Sequence, residues 1–154
     1  MDDIILPQYI SRLAFYSAQS IIIVSVLVYY LNYYRLCLLL GCLYFTTLIH
    51  WNCVKRISVI KIIDILLAIT TIISVTLFDC YRFQQKYIIL WRYSISTSII
   101  IFIINESLFA FSIMNTRPNT REREIVYYRS TYIHMIFLHL LPTSTCAICA
   151  ILSL

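Results

Sequence analysis

Glycine is almost missing from this chain: of 154 residues only Gly41 is one, and proline occurs three times. Charge is scarce too. Asp, Glu, Lys and Arg together make 12% of the residues, where ordinary soluble domains carry about a quarter. The shortage of glycine excludes phosphate-cradling loops and dinucleotide fingerprints, which need several glycines at fixed offsets. It also excludes helix contacts of the GxxxG kind, so helices must pack through Ala, Ser, Thr and Cys. There is no GxSxG elbow and no pair of CxxC motifs at zinc-finger spacing. The formal charge of +5 sits mostly in connecting Lys and Arg, and reads as topology information rather than a nucleic-acid footprint. The opening MDDIILPQYISR is acidic where a cleavable signal would be basic, so the first apolar segment is expected to direct insertion itself.

What the chain has is apolar surface: 61% hydrophobic residues and a mean hydropathy of +0.84. Length allows a single domain. A helix of roughly 20 apolar residues crosses a bilayer, and the runs are too long and too continuous for a membrane β-barrel. The expected fold is an all-α polytopic transmembrane helix bundle of about five spans. These fall near 13–33, 36–54, 59–78, 94–114 and 132–154, with a charged inner loop at 115–131. Lys and Arg divide eight to four between the two sides: Arg12, Lys55, Arg56, Lys61, Arg117, Arg121, Arg123 and Arg129 against Arg35, Arg82, Lys86 and Arg92. By the positive-inside rule this sets the N-terminus inside and the C-terminus outside. Tyr29, Tyr30, Tyr33 and Tyr34 mark one interface, and Trp51, Tyr127, Tyr128 and Tyr132 the other.

The chain has three histidines, His50, His134 and His139. With this topology all three fall at a similar depth on the inner side, together with Asp64, an acid inside the third apolar run. Three neutral imidazoles form an open zinc site that lowers the pKa of bound water towards about 7. Asp64 would act as base or orient a ligand, and Thr46 and Thr47, one helical turn before His50, could hold the water or an oxyanion. The plain alternative is that these are interfacial histidines bonded to carbonyls or headgroups, with Asp64 paired to Lys61. A proton or ion path is the third reading. His134 and His139 are five apart, so on a regular helix they point about 140° apart. A kink at Pro142, which removes the bond to the Leu138 carbonyl, or a π-bulge would bring them together.

These residues resemble the haemolysin III and progestin/adipoQ-receptor branch of the CREST superfamily, which also contains the alkaline ceramidases. In "TTLIH" followed by Asp64, Thr46 stands where that family has serine, His50 at its histidine and Asp64 at its aspartate. "HMIFLHLLPTSTCAICAIL" is similar to the family's last helix, with His134 and His139 as the histidine pair. The resemblance covers these two stretches. It implies zinc held by three histidines near the cytoplasmic side, and hydrolysis of lipid amides. The family differs in having seven spans, serine for Thr46 and a pair spaced by four.

Glu106, beside Asn105 in "INESLF", is an intramembrane acid expected to face the bundle interior, either on a proton path or as a hydrogen-bonded packing contact. Arg92 is expected to snorkel to the outer interface. The six cysteines read as packing residues, "CAIC" at Cys146–Cys149 included, although Cys37 and Cys80 could meet in a disulfide at the outer face. "TRPNTRERE" reads as a solvated loop or as a contact for anionic headgroups or a partner. The functional expectation is a zinc-dependent membrane hydrolase acting on a lipid or another membrane-buried amide or ester. A non-enzymatic structural or assembly membrane protein is the alternative, and a small channel or transporter the third. Expected partners are membrane lipid, a lipid substrate and a second copy of the chain.

Overall fold

A computed structural model describes residues 8–52, 59–117 and 120–154. Among them there is no strand. The helices are α1 (Gln8–Ser17), α2 (Gln19–Tyr30), α3 (Tyr34–Asn52), α4 (Val59–Ser74), α5 (Gln85–Asn115), α6 (Arg121–His134) and α7 (Leu141–Ile151). A π-helical turn, Val75–Asp79, and a 3-10 turn, Cys80–Arg82, extend α4, and a second π-helical segment, Met135–Leu140, joins α6 to α7. These pieces stack into five rods long and apolar enough to cross a membrane: Gln8–Tyr30, Tyr34–Asn52, Val59–Arg82, Gln85–Asn115 and Arg121–Ile151. The second and third rods overlap the expected segments 36–54 and 59–78, of which 53–54 lie outside the described residues. The fourth rod starts nine residues before the expected 94, at Gln85, and the fifth starts inside the expected loop 115–131, at Arg121. The reason for the second difference is local. Thr120 caps α6 by accepting from the Arg123 amide at 3.3 Å, and Glu122 and Glu124 stand in the first turn, where the helix dipole favours acids.

The first rod bends at Ala18. Ser17 donates to the Ala14 carbonyl and Ser20 to the Ser17 carbonyl, each at 2.8 Å, and such bonds compete with the helical ladder. The turn between α2 and α3 is a Schellman stop. Asn32 takes the left-handed conformation at φ 62°, and the amides of Asn32 and Tyr33 bond the carbonyls of Tyr29 and Val28. Arg82 donates to the Asn32 carbonyl at 3.0 Å, and the Gln84 amide to the Ser153 hydroxyl at 3.0 Å. Those contacts gather the α2–α3 turn, the start of α5 and the end of α7 on one face of the bundle. The start of α1, the end of α3, the start of α4 and the start of α6 share the other, the N-terminal face.

Small residues line the helix contacts, as the lack of glycine requires. Ala14, Ala18, Ser25, Ser94, Ser98, Cys146, Cys149 and Ala150 are all buried. Large apolar side chains point outwards instead: Ile62, Leu66, Ile69 and Ile73 on α4, and Ile100, Ile103 and Ile104 on α5, are exposed. In water such a surface is a liability; in hydrocarbon it is the expected one. α4 packs chiefly on α3 and forms the edge of the bundle, while α7 lies between α2 and α5.

Arg35 and Asp79 form an ion pair at 3.0 Å at the face opposite the N-terminal face, with Asp79 buried. The Arg82 guanidinium lies 3.7 Å above the Tyr33 ring. Burial pushes the Tyr33 phenol above its ordinary value, and the Arg82 charge opposes this. Cys37 and Cys80 are separate free thiols, so the disulfide considered between them is not formed. The Cys80 thiol instead donates to the Thr76 carbonyl at 2.7 Å. Lys55 and Arg56 lie outside the described residues.

Candidate functional site

His50 sits in the last turn of α3, His134 at the end of α6 and His139 in the π-helical segment that follows. The irregularity comes from the sequence. Pro142 has no amide hydrogen to give the Leu138 carbonyl, and the preceding turn widens, with the Leu141 amide bonding the Ile136 carbonyl five residues back. One extra residue is absorbed in the wide turn. A spacing of five therefore places both imidazoles on one side of the rod, with ring centroids 5.2 Å apart. Two imidazoles sharing one tetrahedral zinc, at about 2.0–2.1 Å per nitrogen, have centroids roughly 5 Å apart.

Trp51 joins the three. Its ring lies 5.1 Å from His50, 5.2 Å from His134 and 6.2 Å from His139, centroid to centroid. His50, Trp51 and His139 are buried, and His134 is partly buried against Phe102. Two nitrogens here are buried without a hydrogen-bond partner, His50 Nδ1 and Trp51 Nε1. Buried polar atoms are nearly always paired, so this spot has room in its bonding for a polar group.

His139 is anchored. Its Nδ1 is 2.7 Å from the Ser17 hydroxyl, whose single hydrogen points to the Ala14 carbonyl at 2.8 Å. With that hydrogen on the Ala14 carbonyl, Ser17 Oγ accepts from His139 Nδ1, the tautomer that leaves the Nε2 lone pair free. A carbonyl or hydroxyl that fixes the far nitrogen is the usual support of a ligating histidine. One turn on, Thr143 donates to the His139 carbonyl and sits 3.3 Å from the Ser20 hydroxyl, which ties α7 to α2.

Asp64 enters from α4. Thr47 donates to its Oδ1 at 2.6 Å and Thr46 to the same oxygen at 2.9 Å. Thr46 Oγ1 is also 3.0 Å from the Leu43 carbonyl, so Thr47 is the undivided donor that positions Asp64. Among the described residues the ion pair is Arg35–Asp79, and Lys61 is not the partner of Asp64. Asn105 is buried and donates to the Ser130 hydroxyl at 3.1 Å, a clamp between α5 and α6, while Glu106 beside it is partly buried.

The chain thus brings His50, His134 and His139 around Trp51, and sets Asp64 with Thr46 and Thr47 alongside. Among the described residues, no three His, Cys, Asp or Glu side chains are disposed to hold one ion together. The indole occupies the space that the three imidazoles share. Sequence reasoning missed two members of this group. Trp51 reads as an interface marker, although its position next to His50 was a signal. Ser17 lies in a different rod, and nothing in the sequence links it to His139. No protein-family model, curated protein or solved structure matches this chain.

Proposed function

We propose that this chain is an integral multi-pass membrane protein whose histidine cluster binds zinc, and that it hydrolyses an amide or ester bond of a membrane-dissolved lipid. The observation that carries the reading is the gathering of three imidazoles from two rods around Trp51, with a π-helical turn that corrects the five-residue spacing of His134 and His139. The donor types suit zinc, although as placed no three of them among the described residues converge on one ion. His139 offers Nε2 with its tautomer fixed by Ser17, His134 stands at the separation of a shared ion, and His50 has an unpaired buried nitrogen. For all three to ligate, Trp51 has to swing out from among them. Zinc held there would supply Lewis acidity and a water acidic enough to react near neutral pH.

The chain's own residues do the rest. Ser17 keeps His139 oriented. Thr46 and Thr47 hold one oxygen of Asp64, leaving the other to take a proton from an incoming nucleophile. The unpaired Trp51 indole N–H is a donor for a polarised carbonyl oxygen once a substrate is present. Burial of His50, Trp51 and His139 among apolar rods keeps bulk water out. The Lys and Arg asymmetry supports a cytoplasmic position for the N-terminal face.

Metal analysis of the zinc-supplemented, detergent-purified protein tests the first half. The expected content is about one zinc per chain, lost in His50→Ala and in His134→Ala. Absence of stoichiometric metal in the wild type would sink the reading. The second half is tested on lipid amides and esters, where Asp64→Asn should keep the metal and lose activity by about 10²–10⁴-fold. A second reading, a structural or assembly protein of the membrane, is favoured by one feature: the indole fills the centre of the cluster. It predicts no metal, and a loss of stability in Trp51→Ala with no other consequence. A channel reading has the least support, since Asp64 is fixed on α3 and α4 while Glu106 stands beside the α5–α6 clamp.

A further inference from the structure

At the N-terminal face, α1 and α6 flank an open cavity of about 240 Å³ lined by Tyr9, Arg121, Glu124, Ile125 and Tyr128. The four α6 residues are spaced by three, four and seven, so they form one stripe of that helix. Tyr9 faces them from the first turn of α1. Tyr9 and Tyr128 remain about half exposed, at 54% and 48%. Arg121 and Glu124 are one turn apart, a spacing at which opposite charges commonly pair, yet neither is in an ion pair among the described residues. Among the described residues the cavity therefore presents one cation, one anion and two aromatic rings.

Its depth is informative. Ile10, next to Tyr9 on α1, and Tyr127, next to Tyr128 on α6, belong to a buried apolar cluster with Ala14 and Trp51, so the cavity lies directly beside apolar packing. Tyr128 stacks on Tyr132 with ring planes 11° apart and centroids 6.2 Å apart, which carries the aromatic wall one turn further along α6.

We propose that this cavity binds the headgroup of a zwitterionic phospholipid. The Arg121 guanidinium takes the phosphate, which its planar fork suits. Glu124 takes the positive end of the headgroup, and the faces of Tyr9 and Tyr128 hold its alkylammonium by cation–π attraction. The first part of an acyl chain lies along Tyr128 and Tyr132. A purely basic cavity would select anionic lipid; the acid in this wall repels a headgroup with net negative charge and matches a dipolar one. The assignment rests on the rods spanning a bilayer and is independent of the metal reading.

Native mass spectrometry of the full chain, incubated with equal amounts of a phosphatidylcholine and a phosphatidylglycerol of the same acyl chains, tests it. The wild type should retain phosphatidylcholine over phosphatidylglycerol by about tenfold, which corresponds to about 1.4 kcal/mol. Glu124→Gln should reverse the order, Arg121→Gln should lower retention of both lipids, and Tyr128→Leu should lower phosphatidylcholine alone. Equal retention, a wild-type preference for phosphatidylglycerol, or indifference to all three variants would overturn the proposal. The altered side chains are exposed, so circular dichroism and melting should match the wild type. The lipid preference should also persist in His50→Ala, which separates this site from the histidine cluster.

Discussion

Ser17 shows how much one hydroxyl can settle. It spends its hydrogen on Ala14, accepts from His139 Nδ1, and so selects the nitrogen that His139 presents to the cluster. Ser17→Ala removes that support without opening a large space. Zinc affinity, measured by competition with a chelator, should fall by about 10–100-fold while the helical content stays unchanged. Gly41 offers the opposite test. A Cβ built there meets only the Ser25 hydroxyl, at 3.9 Å, an ordinary contact. Its single hydrogen replaced by a methyl fills no forbidden space, and alanine restricts the unfolded backbone. Gly41→Ala should raise stability by about 0.5–1 kcal/mol in a detergent melting experiment. The one glycine of the chain is thus not a conformational necessity.

At the scale of elements, the π-helical segment Met135–Leu140 is the decisive piece, because it turns an unfavourable spacing into a shared face. A π-bulge is a one-residue insertion into an α-helix, so deleting Ile136 should restore a regular helix with the two histidines four apart and still on one side. Zinc binding should survive that deletion. Inserting an alanine at the same point should abolish it, since each added residue turns the following side chain by about 100°. If deletion abolishes binding and insertion does not, the wide turn serves something other than the histidine pair. The α6 start belongs to this scale as well. Thr120 followed by two acids is a capping signal that was readable, yet the density of charge in "TRERE" reads more strongly as a loop. Charged residues form a regular helix there because a helix that leaves the apolar zone needs no apolar face.

For the whole molecule, the five rods set two ends apart. One end holds the Arg35–Asp79 pair, the Arg82 contact and Ser153; the other holds the histidine cluster and the α1–α6 cavity. With the N-terminal face cytoplasmic, a cysteine placed at Ser153 in a cysteine-free background should react with a membrane-impermeant thiol reagent on intact cells. One placed at Arg121 should react only after permeabilisation. The reverse pattern would invert the orientation and put the histidine cluster on the outer side, where a cytosolic zinc supply does not reach it. The peripheral place of α4 matters here too, because Asp64 meets Thr46 and Thr47 from the edge of the bundle.

Composition by itself determined the all-helical, five-rod character of this protein. Uninterrupted apolar runs can satisfy their backbone in hydrocarbon only as helices, and that constraint is local to each run. The reliance on Ala, Ser, Thr and Cys at helix contacts followed equally from a single glycine. The coincidence of His50, Asp64, His134 and His139 at one depth was legible too, because depth is counted along the chain from each turn. Tertiary structure alone decided how those groups meet. The wide turn before Pro142, the Trp51 ring among the imidazoles, the Ser17 contact with His139 and the pairing of Thr46 and Thr47 with Asp64 depend on how rods rotate about their own axes. Rotation is set by packing between segments distant in sequence, and an almost uniformly apolar helix carries no strong stripe from which to read it.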